Sequence, residues 1–549
     1  MRNLKQAFLD PSSIDGQGIA IGVGVPSRFL ILGLGESGVA MARWCLRNGA
    51  SVRFADTRNR EMFSDRQNAW IVELETAGLS DIHFGVLQDE LLEGIDVIGI
   101  SPGLSPLHEP IHAFLSKADE RRISIWSEIE FFARALADLG RADGDDNKSD
   151  SYKPIVLAIT GTNGKTTTTA LTGQLCERAG KKVAVAGNIS PAALDKLMTC
   201  LDEADQIGDL PDVWVLELSS FQLVYTYSLN ATAAAVLNIT QDHLDWHGDM
   251  CSYIDAKAKI FGLNSVCIIN RDDPLVLAMF AEGQGAERQI VSFGSERPDE
   301  PGAFGIERDL RAGGIDWLVW AELSEDADLQ KGKRRRRKST AVVEDESLRL
   351  KRLIPADALR IRGRHNALNA LAALALARAA DLPMANLLHG LREYHGEPHR
   401  AQSVAIFNGV EYVDDSKGTN VGATVAALNG FGSGDTGRRI WLIAGGDGKG
   451  QDFTPMLEPA LRFVKGAFLI GKDAPKIREV LGNGGVECVL CDSLQSAVQD
   501  AAKQAKSGDI VLLSPACASF DQFRDYVARA EVFVAEVEEL GMQFEGVHV

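Results

Sequence analysis

The sequence predicts an α/β protein of three domains. An N-terminal Rossmann-like domain comes first, then a central domain on a parallel sheet of the phosphate-loop ATPase type, then a C-terminal Rossmann-like domain. Three observations predict this. A chain of 549 residues is too long for one hydrophobic core and calls for about three domains. Short apolar runs alternate with helical patterns along its length, as in helix-covered parallel sheets. Two of those runs break straight into glycine turns that open helices, at Gly33 and at Gly161.

Composition narrows the function classes. With 45% apolar and 24% charged residues, the chain is an ordinary globular protein. A formal net charge of −19 argues against general nucleic-acid binding and for a well-solvated cytoplasmic protein. The start, Met1-Arg-Asn-Leu-Lys-Gln-Ala-Phe-Leu-Asp, has no apolar core of a signal, and no eighteen apolar residues run together. Neither export nor membrane insertion is therefore expected, and nothing asks for more than a monomer. Of eight cysteines only Cys488 and Cys491 form a C-x-x-C, so reduced thiols rather than a zinc site are expected.

The first domain is placed at residues 1–140. The strand Arg28-Phe-Leu-Ile-Leu leads into Gly33-Leu-Gly35-Glu-Ser-Gly38, and Asp56 ends the next strand ahead of Thr57 and Arg58. On pattern this is a dinucleotide fingerprint, with an acid poised for a ribose. The same turn also suits any diphosphate-linked nucleotide, or simply close helix–strand packing. Ser101-Pro-Gly103 forms a second tight turn after the strand Asp96-Val-Ile-Gly-Ile. The acidic stretch 140–150 reads as a linker or inserted loop.

The central domain, 151–396, opens on Ile155-Val-Leu-Ala-Ile-Thr-Gly161-Thr-Asn-Gly164-Lys165-Thr166-Thr167. A strand that breaks into a glycine turn and a Lys-Thr helix start is suited to polyphosphate. Gly161 and Gly164 let backbone N–H groups approach the phosphates. Lys165 can reach the terminal phosphates, and the Thr166 hydroxyl can help hold magnesium. Ile159 stands where the full pattern has its first glycine, so the loop is a shortened variant. Glu217 ends the apolar strand Val213-Trp-Val-Leu, where a magnesium ligand belongs in such folds. Asn188 lies just past another strand and can meet substrate. His243, after the strand ending at Asn238, is either a metal ligand or a solvated histidine. Lys257 is either a surface lysine or, if buried, an amine of lowered pKa. Asn366 and Asn369 share one helix face and can read a purine edge together, although Asn366 alone also suits a helix cap. The basic run 331–338 is expected to be a solvated insertion tip, flanked by acids that neutralise it.

The third domain is placed at 397–549. Arg400, in Glu397-Pro-His399-Arg400 at the junction, can swing onto a γ-phosphate. Three strands end in small and charged residues: Asp415-Ser-Lys417-Gly-Thr419-Asn, Gly445-Gly-Asp-Gly-Lys449 and Ser514-Pro-Ala-Cys-Ala-Ser519. Parallel sheets put ligands at such ends.

Several segments in order, Thr160-Gly-Thr-Asn-Gly-Lys-Thr166, Glu217 with Ser219-Ser220, Asn238 to His243, Tyr253-x-x-x-Lys257, Gly363-Arg-His-Asn366 with Asn369, and His399-Arg400, resemble the Mur ligases. These are ATP-dependent amino-acid ligases of peptidoglycan precursor synthesis, and the resemblance spans essentially the whole chain. The stretch from Asp415 and the stretch Leu513-Ser-Pro-Ala-Cys-Ala-Ser-Phe-Asp-Gln-Phe523 are similar to the D-glutamate-adding member. The resemblance implies ATP-dependent addition of D-glutamate to UDP-N-acetylmuramoyl-L-alanine, through an acyl phosphate. It assigns the UDP substrate to Gly35, Glu36, Ser37, Asp56, Thr57, Arg58, Gly103 and Asn188. ATP falls to Gly161, Thr162, Asn163, Gly164, Lys165, Thr166, Thr167, Asn366, Asn369, His399, Arg400, Asp415 and Lys417. It implies two magnesium ions, held by Thr166, Glu217, His243 and a carbamylated Lys257, with Lys165, Glu217, His243, Lys257 and Arg400 as the catalytic set. D-Glutamate falls to Thr419, Lys449, Ser519 and Tyr526, where Tyr526 replaces a commoner phenylalanine and Glu36 a commoner apolar residue. Another Mur-type ligase or a folate-polyglutamate ligase is the nearest alternative, disfavoured by residues 415–419. A nicotinamide-dependent dehydrogenase would use residues 33–38 but leave the phosphate loop idle.

Overall fold

The computed structural model describes residues 28–140, 151–280, 288–310, 314–323, 348–432 and 439–545, with side chains to residue 543. Both the linker 141–150 and the basic run 331–338 lie outside the described residues.

The first sheet consists of β1 (Arg28–Leu32), β2 (Ser51–Asp56), β3 (Asp81–Phe84), β4 (Val97–Ile100) and β5 (Ser124–Trp126), ordered 3-2-1-4-5. All its pairings are parallel. The helix Glu36–Arg47 starts hard against the end of β1. A Cβ on Gly38 would lie 1.9 Å from the Gly33 carbonyl oxygen, so this packing needs glycine there, as the third glycine of the fingerprint suggests.

The central sheet has β6 (Ile155–Thr160), β7 (Val183–Gly187), β8 (Val213–Glu217), β9 (Ala233–Val236), β10 (Val266–Asn270), β11 (Ile290–Phe293), β12 (Phe304–Asp309), β13 (Ile315–Leu323) and β14 (Leu348–Pro355). Their order is 14-13-12-11-10-9-6-8-7. Strands β6 to β12 pair in parallel, whereas β13 and β14 are antiparallel. The mostly parallel sheet expected for this domain is thus extended by an antiparallel edge. The physical reason is exposure. Residues of β14 alternate between partly covered and exposed over its first half, which antiparallel strands tolerate and buried parallel ones do not.

The third sheet has β15 (Gln402–Phe407), β16 (Val410–Asp414), β17 (Ile440–Gly445), β18 (Val464–Ile470), β19 (Cys488–Leu490) and β20 (Ile510–Leu513), ordered 15-16-20-17-18-19. Only β15 runs antiparallel, joined to β16 through Asn408-Gly409 with φ of 53° and 72°. That pair of positive φ angles is the two-residue turn that Asn-Gly favours.

The cores divide unevenly. One apolar cluster runs from Phe29 and Trp44 of the first domain through Phe132 into Leu194, Trp214 and Val236 of the central domain. The buried clusters of the third domain contain its own residues alone. The first two domains are therefore fused by apolar burial. The third meets them through polar contacts: Arg400 to Thr166, Asn420 to Asn163, and Arg362 to Glu411.

Trp214 is the pivot of the shared core. Its ring meets Phe132 edge-on at 4.9 Å, and its Nε1 donates to the Tyr152 hydroxyl at 2.8 Å. Replacing Trp214 by alanine is expected to lower stability by about 3–5 kcal/mol, measured by urea unfolding, with the first and central domains losing structure in one transition.

Candidate active site

The phosphate loop leaves β6, third strand from one edge of its sheet and paired between β8 and β9. This position sets what stands beside it. Ile159 is in register with Glu217 and Thr160 with Val236, so the carboxylate ending β8 stands next to the loop. Gly164 has φ of +84°, and a Cβ there would lie 2.4 Å from the Asn369 side-chain oxygen. Only glycine lets Asn369 approach the loop so closely. The Lys165 ammonium donates to the carbonyls of Gly161 and Thr162, both at 2.9 Å.

Lys257 is 2% exposed, so the surface reading of this lysine is corrected. Tyr253 and Ala256 of its own helix are buried with it, and the helix turns this face to the loop. Its Nζ donates to the Gly161 carbonyl at 2.9 Å and to Thr160 Oγ1 at 3.3 Å, over the Tyr253 ring. Burial, then the charge of Lys165, holds its pKa well below the usual lysine range, against the pull of Asp242 and Glu217. Burial lowers Lys165 too, with Arg400 and Lys417 adding to it while Glu217 and Asp242 oppose. A lysine so placed sheds its proton readily and becomes a nucleophilic amine.

Glu217 is also 2% exposed. Its Oε1 accepts from Asn188 Nδ2 at 2.9 Å, and its Oε2 has no hydrogen-bond partner. A buried carboxylate oxygen left so is costly without a cation or donor to meet it. Asn188 therefore orients this carboxylate; it is absent from the first-domain cavity described below.

His243 sits at a left-handed position, φ 55°, with its ring edge-on to Phe221 at 4.7 Å. Burial lowers its pKa, against Asp242, with Lys449, Lys165 and Lys257 also depressing it. Lys449, on the loop after β17, is thus close enough for its charge to be felt at His243. His247 is buried behind, its Nε2 2.9 Å from Ser220 Oγ, and burial pushes its pKa down to about 4.

A cavity opens beside the loop, lined by Asn163, Gly164, Thr167, Asn366, Asn369 and Arg400, with Asp415 and Lys417 opposite. Asn366 is not a helix cap: Gly363 is the cap of the helix Arg364–Ala379. Asn366 accepts from Asn369 at 3.1 Å and donates to the Arg362 carbonyl at 2.8 Å. His399 lies outside this lining; its Nδ1 is 2.8 Å from Asp414 Oδ2. Arg400 crosses the domain boundary and donates to Thr166 Oγ1 at 2.7 Å. The Asp415 carboxyl accepts from Ser514 Oγ at 2.7 Å, and burial raises its pKa to about 7. Lys417 donates to the Tyr526 hydroxyl at 3.2 Å. Thr166, Asn188, Lys417 and Tyr526 line a neighbouring groove, while Ser519 is buried after β20. Thr419, half-buried, follows Lys417 on the same loop.

In the first domain, Gly35, Glu36, Ser37, Asp56, Thr57, Arg58 and Gly103 line one cavity of about 560 Å³. The Asp56 carboxylate accepts from the Leu34 N–H at 2.7 Å and from the Arg58 N–H, Nε and Nη2 at 2.7 to 2.9 Å. With its acceptors so engaged it is not poised for a ribose, which removes the dinucleotide signature. Glu36 closes an exposed ion pair with Arg66 at 2.7 Å.

Sequence reasoning missed Asn238, Asp242 and Gln67 as site residues. Asn238 accepts from the Asn163 N–H at 2.8 Å and donates to the Asn163 carbonyl at 3.0 Å, bracing the loop. Its place at the carboxyl end of β9 was the available signal. Gln67, from the helix Asp65–Thr76, reaches the Leu34 carbonyl at 2.9 Å, a long-range contact without local pattern.

Three family descriptions match the chain: the MurD-like N-terminal domain of Mur ligases over residues 27–124, the Mur ligase middle domain over 159–377, and the Mur ligase glutamate ligase domain over 399–517. The chain is 56% identical over 504 residues to the UDP-N-acetylmuramoylalanine–D-glutamate ligase of Ralstonia nicotianae, covering 92% of this chain and 95% of that protein. Against the enzyme of that name from Cupriavidus metallidurans it is 54% identical over 519 residues, 93% and 97% of the two chains. The solved structure of MurF from Acinetobacter baumannii shares the fold at a TM-score of 0.53 and 16% identity, covering 88% of this chain and 90% of that one. MurC from Thermotoga maritima does so at 0.50 and 18%, covering 93% and 99%.

The buried histidines give a pH prediction. Their folded pKa values, about 4 for His247 and for His365, lie below the unfolded value of 6.5. The stability tied to the neutral rings is thus present above pH 6.5 and lost as pH falls toward 4. Urea unfolding between pH 7.5 and 4.5 should show this loss, and His247→Gln should flatten the slope.

Proposed function

The chain belongs to the Mur ligase family, and from that premise we infer that it joins D-glutamate to UDP-N-acetylmuramoyl-L-alanine at the expense of ATP, in peptidoglycan precursor synthesis. The observation that carries this reading is the match, along nine-tenths of the chain, to ligases named for that reaction. The geometry is consistent with it: a phosphate loop, a carboxylate with a free oxygen, and an amine-bearing third domain meet at one edge.

The reaction proceeds in two transfers. A carboxylate oxygen of the L-alanyl group attacks the γ-phosphorus of ATP, and ADP leaves with the bond electrons. The D-glutamate amine then attacks the acyl carbon, loses a proton, and expels inorganic phosphate. Lys165, held on the loop carbonyls, and Arg400, bonded to Thr166, offset charge on the transferring phosphoryl group. Asn366 and Asn369 contact adenine and Asp415 the ribose. The first-domain cavity, with Gly35, Ser37, Thr57, Arg58 and Gly103 among its lining, takes the UDP. Lys449, Thr419, Ser519 and Tyr526 hold D-glutamate. The nucleotide and nucleotide-sugar substrates put the protein in the cytoplasm.

The donor set fits magnesium once Lys257 is modified. The unpartnered Oε2 of buried Glu217 offers one anionic ligand, and a carbamate on Lys257 would add a second. The Lys257 amine can attack CO2, forming an N–C bond and releasing a proton, to give a carbamate. Thr166 and Glu217 would then hold one magnesium ion and His243 with the carbamate a second, and these ions would lower the charge barrier to phosphoryl transfer.

Phosphate release should require both the UDP substrate and D-glutamate; release with L-lysine or diaminopimelate in its place would sink the assignment. With 13C-bicarbonate, a carbamate carbon resonance should appear in the native protein and be absent from Lys257→Ala.

A further inference from the structure

We propose that Asn420 is a positioning residue that latches the third domain onto the phosphate loop. Its carboxamide is 4% exposed and uses every hydrogen-bond position it has. Its Oδ1 accepts from the Ala423 N–H at 2.9 Å, capping the helix Val421–Gly432, and from Asn163 Nδ2 at 3.2 Å. Its Nδ2 donates to Asn163 Oδ1 at 3.0 Å and to Asp242 Oδ2 at 3.3 Å. One side chain thus joins three parts of the site: the third domain's helix, the phosphate loop, and the segment bearing Asp242 and His243.

The junction is also tight. A Cβ on Gly422, two residues on, would lie 2.8 Å from Thr240 Oγ1 and 3.1 Å from Asn163 Nδ2. Gly422 has no positive φ, so its lack of a side chain answers to close approach and not to backbone strain. The third domain does not enter the core that the first two share, so these polar contacts count among those that seat it on the phosphate loop. Arg400, Asp415, Lys417 and Lys449 all reach the site from that domain, so a loosened latch misplaces them together. Misplacement of about 1 Å can cost roughly a hundredfold in rate.

This inference rests on the ATP-dependent ligase reading. Two variants separate a latch from a structural cap. Asn420→Asp keeps a good helix cap but turns both donors into a carboxylate facing Asp242. Gly422→Ala leaves Asn420 in place and inserts a methyl between the helix and the loop. Both are expected to keep the thermal midpoint of the native protein and its affinity for the UDP substrate. Both should lower kcat at least tenfold, and small-angle scattering with a non-hydrolysable ATP analogue and the UDP substrate should show less compaction than the native protein. The latch is overturned if both variants keep native kcat and compaction, or if activity is lost only in step with thermal stability. Failure of the ligase reading is a separate result: native protein that releases no phosphate with D-glutamate.

Discussion

Two lysine side chains share a single backbone oxygen. Lys165 and Lys257 each donate to the Gly161 carbonyl at 2.9 Å, one from the loop's own helix and one from a helix later in the chain. Two ammonium groups at that spacing repel strongly in a partly dry site. The arrangement holds because Glu217 and Asp242 stand nearby and because burial presses Lys257 toward its neutral form. Much of the site follows. The carboxylate must end β8, which must pair with β6, and the loop must be braced by Asn238 so that its carbonyls point at both lysines. The lowered pKa of Lys257 is thus a product of loss of water first and of crowding by like charge second.

How the domains are joined matters for the same chemistry. Apolar burial fuses the first and central domains, so the first-domain cavity and the phosphate loop stay in fixed relation. Polar contacts join the third domain, and these exchange with water at little net cost. Substrates can therefore enter and products leave by moving one domain, while the dry, ordered cleft forms only when all parts meet.

Much of this was legible in the sequence because the signals were local. A glycine turn between strand and helix and a carboxylate ending an apolar strand each reside within a few residues. What was not legible depended on contacts distant in sequence. Lys257 reads as solvated until its helix is seen to turn toward the loop. Asn366 suits a cap in isolation, yet Gly363 takes that role. The acid Asp56 matches a ribose-binding pattern, and only the fold reveals that Arg58 and Leu34 occupy it. His399, grouped with the ATP residues by resemblance, is held by Asp414 outside the cavity lining. The antiparallel edge of the central sheet is illegible for the same reason, because residues 324–347 separate β13 from its partner β14 in sequence.

The cluster that crosses from Phe29 to Val236 has a bearing on how the chain can be divided. A fragment ending before Gln402 carries both contributors to that cluster and leaves it intact. A fragment beginning after Leu139 strips Phe132 from Trp214 and leaves a large apolar face bare. The gene therefore has one natural seam and not two, and modular exchange between relatives would be tolerated at the second junction far better than at the first.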